Sequence, residues 1–499
     1  MKIKNLYNLF ISIIFSIILI SVSLFWHYSF ASANHYDSQT AFDFVSAMNA
    51  GLNIGNSLDA CYGEATGDAN LSQETVWGNP LITKQYIDYI KSLHFDVIRL
   101  PVTWHTHMYR DENGIPHIHK DWFQRVKDVV DYCISDDLYV IINIHHDGEL
   151  IHTGVTTDSF STVKTNASAL WSEISNYFAS YDDHLIFEAY NEVDNYERSW
   201  SYGKKAASQM NELNQLFVDT VRSSGGYNST RFLMIPTLLD STDYNCQKSF
   251  KLPKDSANNR LIITVHDYSQ QFDQTLDTDF SNLEKFSKKQ GAPIIIGEWG
   301  TTDSYIPEDF RSIHASNFIA RAKAHGIKCI YWDNGSNYSI ISRNESTCNQ
   351  EVVSAIMNPL PYQSDSMTSL TDWNDFLYMT FNLETGALKE DRHWGTIVVN
   401  KDGEGKCIIP SNKTLMSVNL VVTESMSEQR IHCLYFFNAN DELIYTDKDV
   451  VGYNEKIIEI PNESTYVRIG INNPYNKTSA SEYKKAIKSG HFAFVINFY

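Results

Sequence analysis

Eight short apolar runs, each followed by an amphipathic stretch, recur between about residue 45 and residue 357, and this alternation restricts the chain to very few folds. The runs fall at 51–56, 95–101, 138–145, 185–191, 232–236, 261–266, 293–298 and 328–333. They are β-branched and continuous rather than alternating, the pattern of strands buried on both faces of a parallel sheet. Between them the spacing is helical: Phe123, Val126, Val130 and Cys133 share one helical face, and Ile87, Ile90 and Leu93 mark the helix before it. The longest candidate helix, 204–222, ends in Ser223-Ser224-Gly225-Gly226. An α/β chain of such units predicts a (β/α)8 TIM barrel over 34–358. The rival, an open doubly wound sheet, needs a Gly-rich phosphate loop after its first strand, and Gly51, Gly55 and Gly63 do not make one.

The flanks have a different character. Lys2 and Lys4, an uncharged apolar stretch from Leu9 to Trp26, and Ala31-Ser32-Ala33 give residues 1–33 the layout of a signal peptide. A stretch of ~18 apolar residues is also long enough for a retained membrane anchor. On either reading the rest of the protein is secreted or extracellular. Pro359 and Pro361 open a polar linker over 359–371. Beyond it, short runs such as Leu434–Phe437 and Phe492–Phe498, spaced by turn residues, predict an all-β sandwich or jelly-roll domain over 372–499. Its Trp373, Trp394, Tyr435, Tyr453 and Tyr475 either line a carbohydrate-binding face or fill a small core.

The net charge of -20, with no Lys/Arg block, excludes nucleic acid as a partner. The 7 cysteines show no CxxC spacing, which argues against a zinc site or a dense disulfide framework, while one or two disulfides remain open. The chain is expected to be a monomer with no cofactor and no metal.

Several strands carry polar residues at their carboxyl ends that a buried run does not need. These are Arg99, His145-His146-Asp147, Asn191-Glu192, His266-Asp267-Tyr268, Glu298-Trp299 and Trp332-Asp333. In a parallel barrel all such ends meet on the face where active sites lie. Glu192 and Glu298 follow strands on opposite sides of that mouth. Paired carboxyls of this kind suit glycoside hydrolysis, in which one protonates the leaving oxygen and the other attacks or directs water at the anomeric carbon. His145, His146 and Asp147 also read as metal ligands, but adjacent histidines on a strand point to opposite faces, which argues against a shared ion.

At these residues the barrel resembles glycoside hydrolase family 5, and more narrowly its endoglucanase-like and xyloglucanase-type members. The resemblance rests on GLNIGNSLDA at 51–60, VIRLPVTW at 97–104, INIHH at 142–146, FEAYNE at 187–192, HDY at 266–268, IGEWG at 296–300 and YWDN at 331–334, in family order. Two positions depart from it: Leu52 stands where relatives often have Trp, and Val193 where they often have Pro. Both blur the choice of substrate without touching the charge chemistry.

The resemblance implies a retaining, endo-acting hydrolase of β-1,4-glucans: cellulose, mixed-linkage glucan or xyloglucan of the plant cell wall. A β-mannanase and a non-catalytic carbohydrate-binding barrel are the alternatives. It implies Glu298 as nucleophile, kept ionised by Arg99 and oriented by Tyr268. Glu192 is implied as acid then base, with a pKa raised above that of Glu298. Asn191, His145, His146 and His266 are implied to bind sugar hydroxyls or support the carboxylates, and Trp332 to be a sugar platform. Trp104 is either cleft-lining or a packing residue behind the cavity. Trp77, Trp200 and Tyr202 are candidates for outer subsites.

Overall fold

The computed structural model describes residues 39–63, 69–194, 202–269, 274–302, 311–359, 367–370, 373–382, 384–390, 395–411, 413–422, 429–447, 455–473, 477–488 and 492–498. The leader expected at 1–33 and most of the linker expected at 359–371 lie outside these residues, as do Trp200, Trp394, Tyr453 and Tyr475. The chain divides into two compact units, one of residues up to 270 with 279–360, the other of 271–278 with 361–499.

Eight parallel strands close the first unit into a barrel. They are β1 (Gly51–Ile54), β2 (Val97–Leu100), β3 (Tyr139–Ile142), β4 (Leu185–Glu188), β5 (Leu233–Ser241), β6 (Leu261–His266), β7 (Ile294–Trp299) and β8 (Lys328–Asp333). Their order around the barrel is β1-β8-β7-β6-β5-β4-β3-β2. This is the (β/α)8 architecture that the eight continuous apolar runs predict. The α-helices are α1 (Ala41–Ala47), α2 (Lys84–Ser92), α3 (Lys120–Ser135), α4 (Thr157–Tyr177), α5 (Lys204–Ser223), α6 (Tyr244–Ser249), α7 (Gln274–Gln290), α8 (Arg311–Ala324) and α9 (Gln350–Met357).

Helix α1 has no counterpart in the sequence reading. Thr40 and Asp43 form a capping box at its start. Its Ala41, Phe44 and Val45, with Met48 beyond it, pack on Val97, Ile141, Ile186, Met234, Ile262, Ile295 and Ile330. These lie near the amino ends of the strands, and Phe44 stacks on Phe232 at 3.9 Å. The helix therefore plugs one end of the barrel and leaves the carboxyl ends as its mouth.

Two strand ends differ from expectation in a way that matters for the site. Strand β3 stops at Ile142 rather than at 145, because side chains take over the cross-strand links. The Asn143 side-chain oxygen Oδ1 accepts from the Val102 amide at 3.2 Å, and the His145 amide donates to the Val102 carbonyl at 2.9 Å. Strand β5 runs on to Ser241 through a register shift between Pro236 and Ser241. Within that shift Leu239 and Asp240 both take left-handed φ values, 63° and 50°.

In the second unit a four-stranded and a six-stranded antiparallel sheet share one core. Met416, Val418, Phe494 and Ile496 of the first face Val399, Phe436, Val467 and Ile469 of the second, a β-sandwich. A helix, Ala480–Lys488, which the sequence pattern did not show, seals it with Tyr483 and Ile487. Tyr435 is wholly buried in a smaller cluster with Phe381 and Phe437, so of the aromatics considered for a binding face it fills a core instead. All seven cysteines are free thiols.

Arg231 locks the barrel just before β5. Fully buried, it donates to Asn228 and to the carbonyls of Phe178, Tyr181, Asp182 and Leu185. Arg231→Leu strands these acceptors and should lower the unfolding free energy by about 3 kcal/mol in equilibrium denaturation, since buried acceptors left unpaired cost roughly 1–3 kcal/mol each before relaxation.

Candidate active site

Arg99 is the centre of the barrel mouth. It lies on β2, paired with Asn53 of β1 and Ile141 of β3, and is completely buried. Nε donates to Glu188 at 2.7 Å. One terminal nitrogen donates to Glu298 at 2.6 Å and to Asn53 at 2.9 Å, and the other to Asn191 at 2.8 Å. Burial opposes its charge, but Glu188 and Glu298 outweigh burial and hold the guanidinium above its ordinary pKa.

Glu298, near the end of β7, is almost fully buried. Its Oε1 accepts from Arg99, and its Oε2 accepts from the Tyr268 hydroxyl at 2.8 Å. Burial, followed by the Glu298 charge, pushes the Tyr268 phenol up and keeps it a donor.

Glu192 lies four residues past the end of β4, in the left-handed region at φ 45°. Its Oε1 is 2.8 Å from Nδ1 of His266, which is also 3.6 Å from Oε2 of Glu298. One oxygen of Glu192, one of Glu298 and a ring nitrogen of His266 all lie within 4.8 Å of one another, so the two carboxyls approach closely at the mouth. Retaining glycosidases hold their carboxyls ~5–5.5 Å apart and inverting ones further.

Proton placement departs from the sequence expectation of a raised Glu192. Burial, the largest single influence, pushes Glu192 up, but the hydrogen bond and charge of His266, with Arg99 and His146 behind them, together leave it below the ordinary value. Burial opposes the His266 charge, but Glu298, Asp240 and Glu192 together raise it to about 9. The proton expected on Glu192 therefore sits on the imidazole bonded to it.

His145 sits in a different field. Burial first, then His146, Arg99 and His266, depress its pKa well below 6.5, so it is neutral. The Asn143 amide nitrogen donates to Glu188 at 3.0 Å and reaches His145 Nδ1 at 3.2 Å, while the Asn143 oxygen accepts from Val102. Nδ1 is thus the acceptor, and Nε2 carries the hydrogen. The His145 ring lies parallel to Trp332 at 5.9 Å and 7°. A Cβ on Gly55 would come within 2.6 Å of the Trp332 ring, so only glycine lets the indole lie there.

His146 and Trp104 make no hydrogen bond to Arg99, Glu192 or Glu298 among the described residues. His146 is half exposed at the rim, with Trp77 against it at 5.4 Å. Both line a cleft of about 560 Å³ that runs past Asn191 and Glu192. Trp104 is wholly buried; it donates to the Asn143 carbonyl at 2.9 Å and packs on Phe123. It is the packing residue behind the cavity and offers no face to it.

The two histidines follow β3 rather than lying on it, so the argument from opposite strand faces does not apply. Their rings meet edge to face at 4.4 Å, and donor atoms of Asp59, His145 and His146 lie within 4.8 Å of one another. What opposes a shared ion is the tautomer: the Nδ1 lone pair of His145 is taken by Asn143, and Nε2 bears its hydrogen.

Sequence reasoning missed Asn53, Asn143, Glu188, Asp240 and Thr264. Glu188 accepts from Arg99, Asn143 and Thr264 and is fully buried. The available signal was a charged or amide residue interrupting an otherwise apolar strand, as in LIFE at 185–188 and GLNI at 51–54.

The barrel and its facing carboxyls define the class of barrel glycoside hydrolases. The family model "Cellulase (glycosyl hydrolase family 5)" matches residues 62–338, and the chain belongs to that family. Endoglucanase A of Clostridium longisporum is 35% identical over 330 residues, covering 62% of this chain and 62% of its own length. Endoglucanase A of Paenibacillus barcinonensis is 31% identical over 66% of this chain and 92% of its own length. Among solved structures, a lichenase from a Caldicellulosiruptor species superposes at a TM-score of 0.60 with 34% identity, covering 64% of this chain and 96% of that one. A xyloglucan-specific endo-beta-1,4-glucanase from a metagenomic library, in complex with cellotriose, superposes at 0.57 with 28% identity, covering 64% and 98%.

The electrostatics give a direct test. By NMR, His266 should titrate near 9, and Glu298→Gln, which removes the first of the anions that raise it, should move that value down. A pKa raised above the ordinary 6.5 adds stability that is complete below about 6.5 and is lost as pH climbs through about 9. A native imidazole titrating at its ordinary value would overturn this arrangement.

Proposed function

We propose that the chain is a retaining, endo-acting glycoside hydrolase that cleaves β-1,4-glucans, with Glu298 as nucleophile and Glu192 as acid/base. The observation that carries this reading is the gap of at most 4.8 Å between carboxyl oxygens, with only Glu298 tied to Arg99 and Tyr268. Relatives named as endoglucanases, a lichenase and a xyloglucan-specific glucanase favour glucans over mannans.

In the first step a Glu298 oxygen attacks the anomeric carbon, and the bond to the leaving oxygen breaks. Glu192 delivers to that oxygen the proton held on its hydrogen bond with His266. Arg99 and Tyr268 hold the attacking carboxylate in line, so little orientation is lost on reaching the transition state. Attack removes the charge of Glu298, and one anion no longer opposes ionisation of Glu192. Glu192 then takes a proton from water, the hydroxyl displaces Glu298, and two inversions give net retention.

Asn191, fixed by Arg99, is proposed to meet the sugar 2-hydroxyl, and His145 Nε2–H to donate to a second hydroxyl. Trp332 is proposed as the platform beneath the sugar, and the cleft beside Trp77 and His146 as the path of the chain. The layout of residues 1–33 supports export, as a polymeric substrate requires; the mass of the protein recovered from medium tests whether that segment is removed.

Glu298→Ala should abolish turnover, and added azide should restore it with an α-glycosyl azide as product, read by proton NMR. A β-azide would show that Glu298 is not the nucleophile. Tyr268→Phe removes one donor from the attacking carboxylate and should lower kcat by about 10²-fold. Wild-type hydrolysis of cellulose, mixed-linkage glucan and xyloglucan should yield β-anomers first, and activity confined to mannan would replace the substrate assignment.

A further inference from the structure

Asp240 takes no part in the chemistry derived so far, yet the chain goes to unusual lengths to place it. The β5 strand shifts register between Pro236 and Ser241, and Leu239 and Asp240, neither a glycine, both take positive φ. Thr237 closes the bulge by donating to the Ser241 carbonyl at 2.9 Å. Such bulges re-aim a side chain, here into the barrel mouth. The Asp240 side chain is completely buried there. Its Oδ2 accepts the backbone N–H of Glu192 at 2.6 Å, at the residue whose own φ is 45°. Donor atoms of Asp240, His266 and Glu188 lie within 4.8 Å of one another.

We propose that Asp240 is a positioning residue for the acid/base: it pins the left-handed backbone of Glu192 and so aims that carboxyl at the leaving-group oxygen. This rests on the assignment of Glu192 as acid/base. The geometry argues for it because Glu192 lies beyond the end of β4, where no strand ladder holds it. Its one side-chain partner among the described residues, His266, is needed for proton transfer. The hydrogen bond from the Glu192 N–H to Asp240 supplies the missing constraint without engaging the reacting oxygens.

The side chain also suits that task electrically. Burial above all, with the Glu188 and Glu192 charges, lifts its carboxyl to about 8 against the opposing pull of His266 and of the Glu192 N–H. In its ionised form it adds to the field that keeps His266 protonated beside Glu192.

The test separates aim from folding. Asp240→Gly removes the acceptor while tolerating φ 50°. Asp240→Asn keeps a carbonyl oxygen and also tolerates that backbone. General acid assistance is worth typically 10²–10⁴-fold, and misaim should forfeit part of it. Asp240→Gly should lower kcat/KM at least about tenfold on cello-oligosaccharides, whose leaving group needs a proton, and less than about threefold on dinitrophenyl cellobioside, whose leaving group does not. Asp240→Asn should recover most of the loss. Equal losses on both substrates, no loss, or failure of Asp240→Asn to recover activity would overturn the proposal. If Asp240→Gly does not fold by thermal melting, Asp240→Asn decides alone: a tenfold loss confined to cello-oligosaccharides overturns the proposal, and near wild-type rates on both substrates sustain it. Wild-type protein inactive on both substrates would sink the hydrolase reading itself.

Discussion

One buried guanidinium organises the mouth of this barrel. A charge fully removed from water persists only if anions and acceptors surround it, because desolvation costs more than any single ion pair returns. Arg99 meets that demand with Glu188, Glu298, Asn53 and Asn191, drawn from β1, β4, β7 and the segment after β4. The same bonds that keep Arg99 charged fix the proposed nucleophile and a proposed sugar-binding amide. Glu188 belongs to this set as an anchor. Its oxygens are taken by Arg99, Asn143 and Thr264, whereas each oxygen of Glu298 accepts one protein donor and keeps a lone pair for substrate.

The second half of the site concerns a proton rather than a charge. Three carboxyls, Glu298, Asp240 and Glu192, press on His266 and keep it protonated, and that proton lies on the hydrogen bond to Glu192. His145 is in the opposite state, neutral because burial and three neighbouring cations or histidines oppose its charge. Two histidines in one barrel mouth thus do different work: one shares a proton with the proposed acid, and the other offers a fixed N–H.

The fold supplies rigidity where the site needs it. Helix α1 fills the amino end of the barrel with Phe44 and Val45, so the strands are packed from below and open only above. Trp104 packs behind β3 and holds the carbonyl of Asn143, the residue that sets the tautomer of His145. Strain appears at the mouth, at Glu192 beyond β4 and at Leu239 and Asp240 in the bulged end of β5, where the backbone is bent to aim side chains.

The barrel was legible in the amino-acid sequence because burial on both faces writes a continuous apolar run, and eight such runs admit few folds. Glu192, Glu298, Arg99, Tyr268 and His266 were legible because each interrupts or ends such a run with chemistry that burial does not need. The proton's place was not legible. Whether Glu192 is raised or lowered depends on His266 lying 2.8 Å away, and that distance joins residues 74 positions apart. Trp104 and Trp332 look alike in sequence, and only packing sends one behind the wall and the other beside His145. Asp240 was invisible for a further reason: its role comes from two left-handed residues in a strand, a conformation that residue types favouring ordinary strand geometry do not announce. Local pattern decided which elements form, whereas the field at the mouth is a sum over charges brought together from five strands, and only the closed barrel performs that sum.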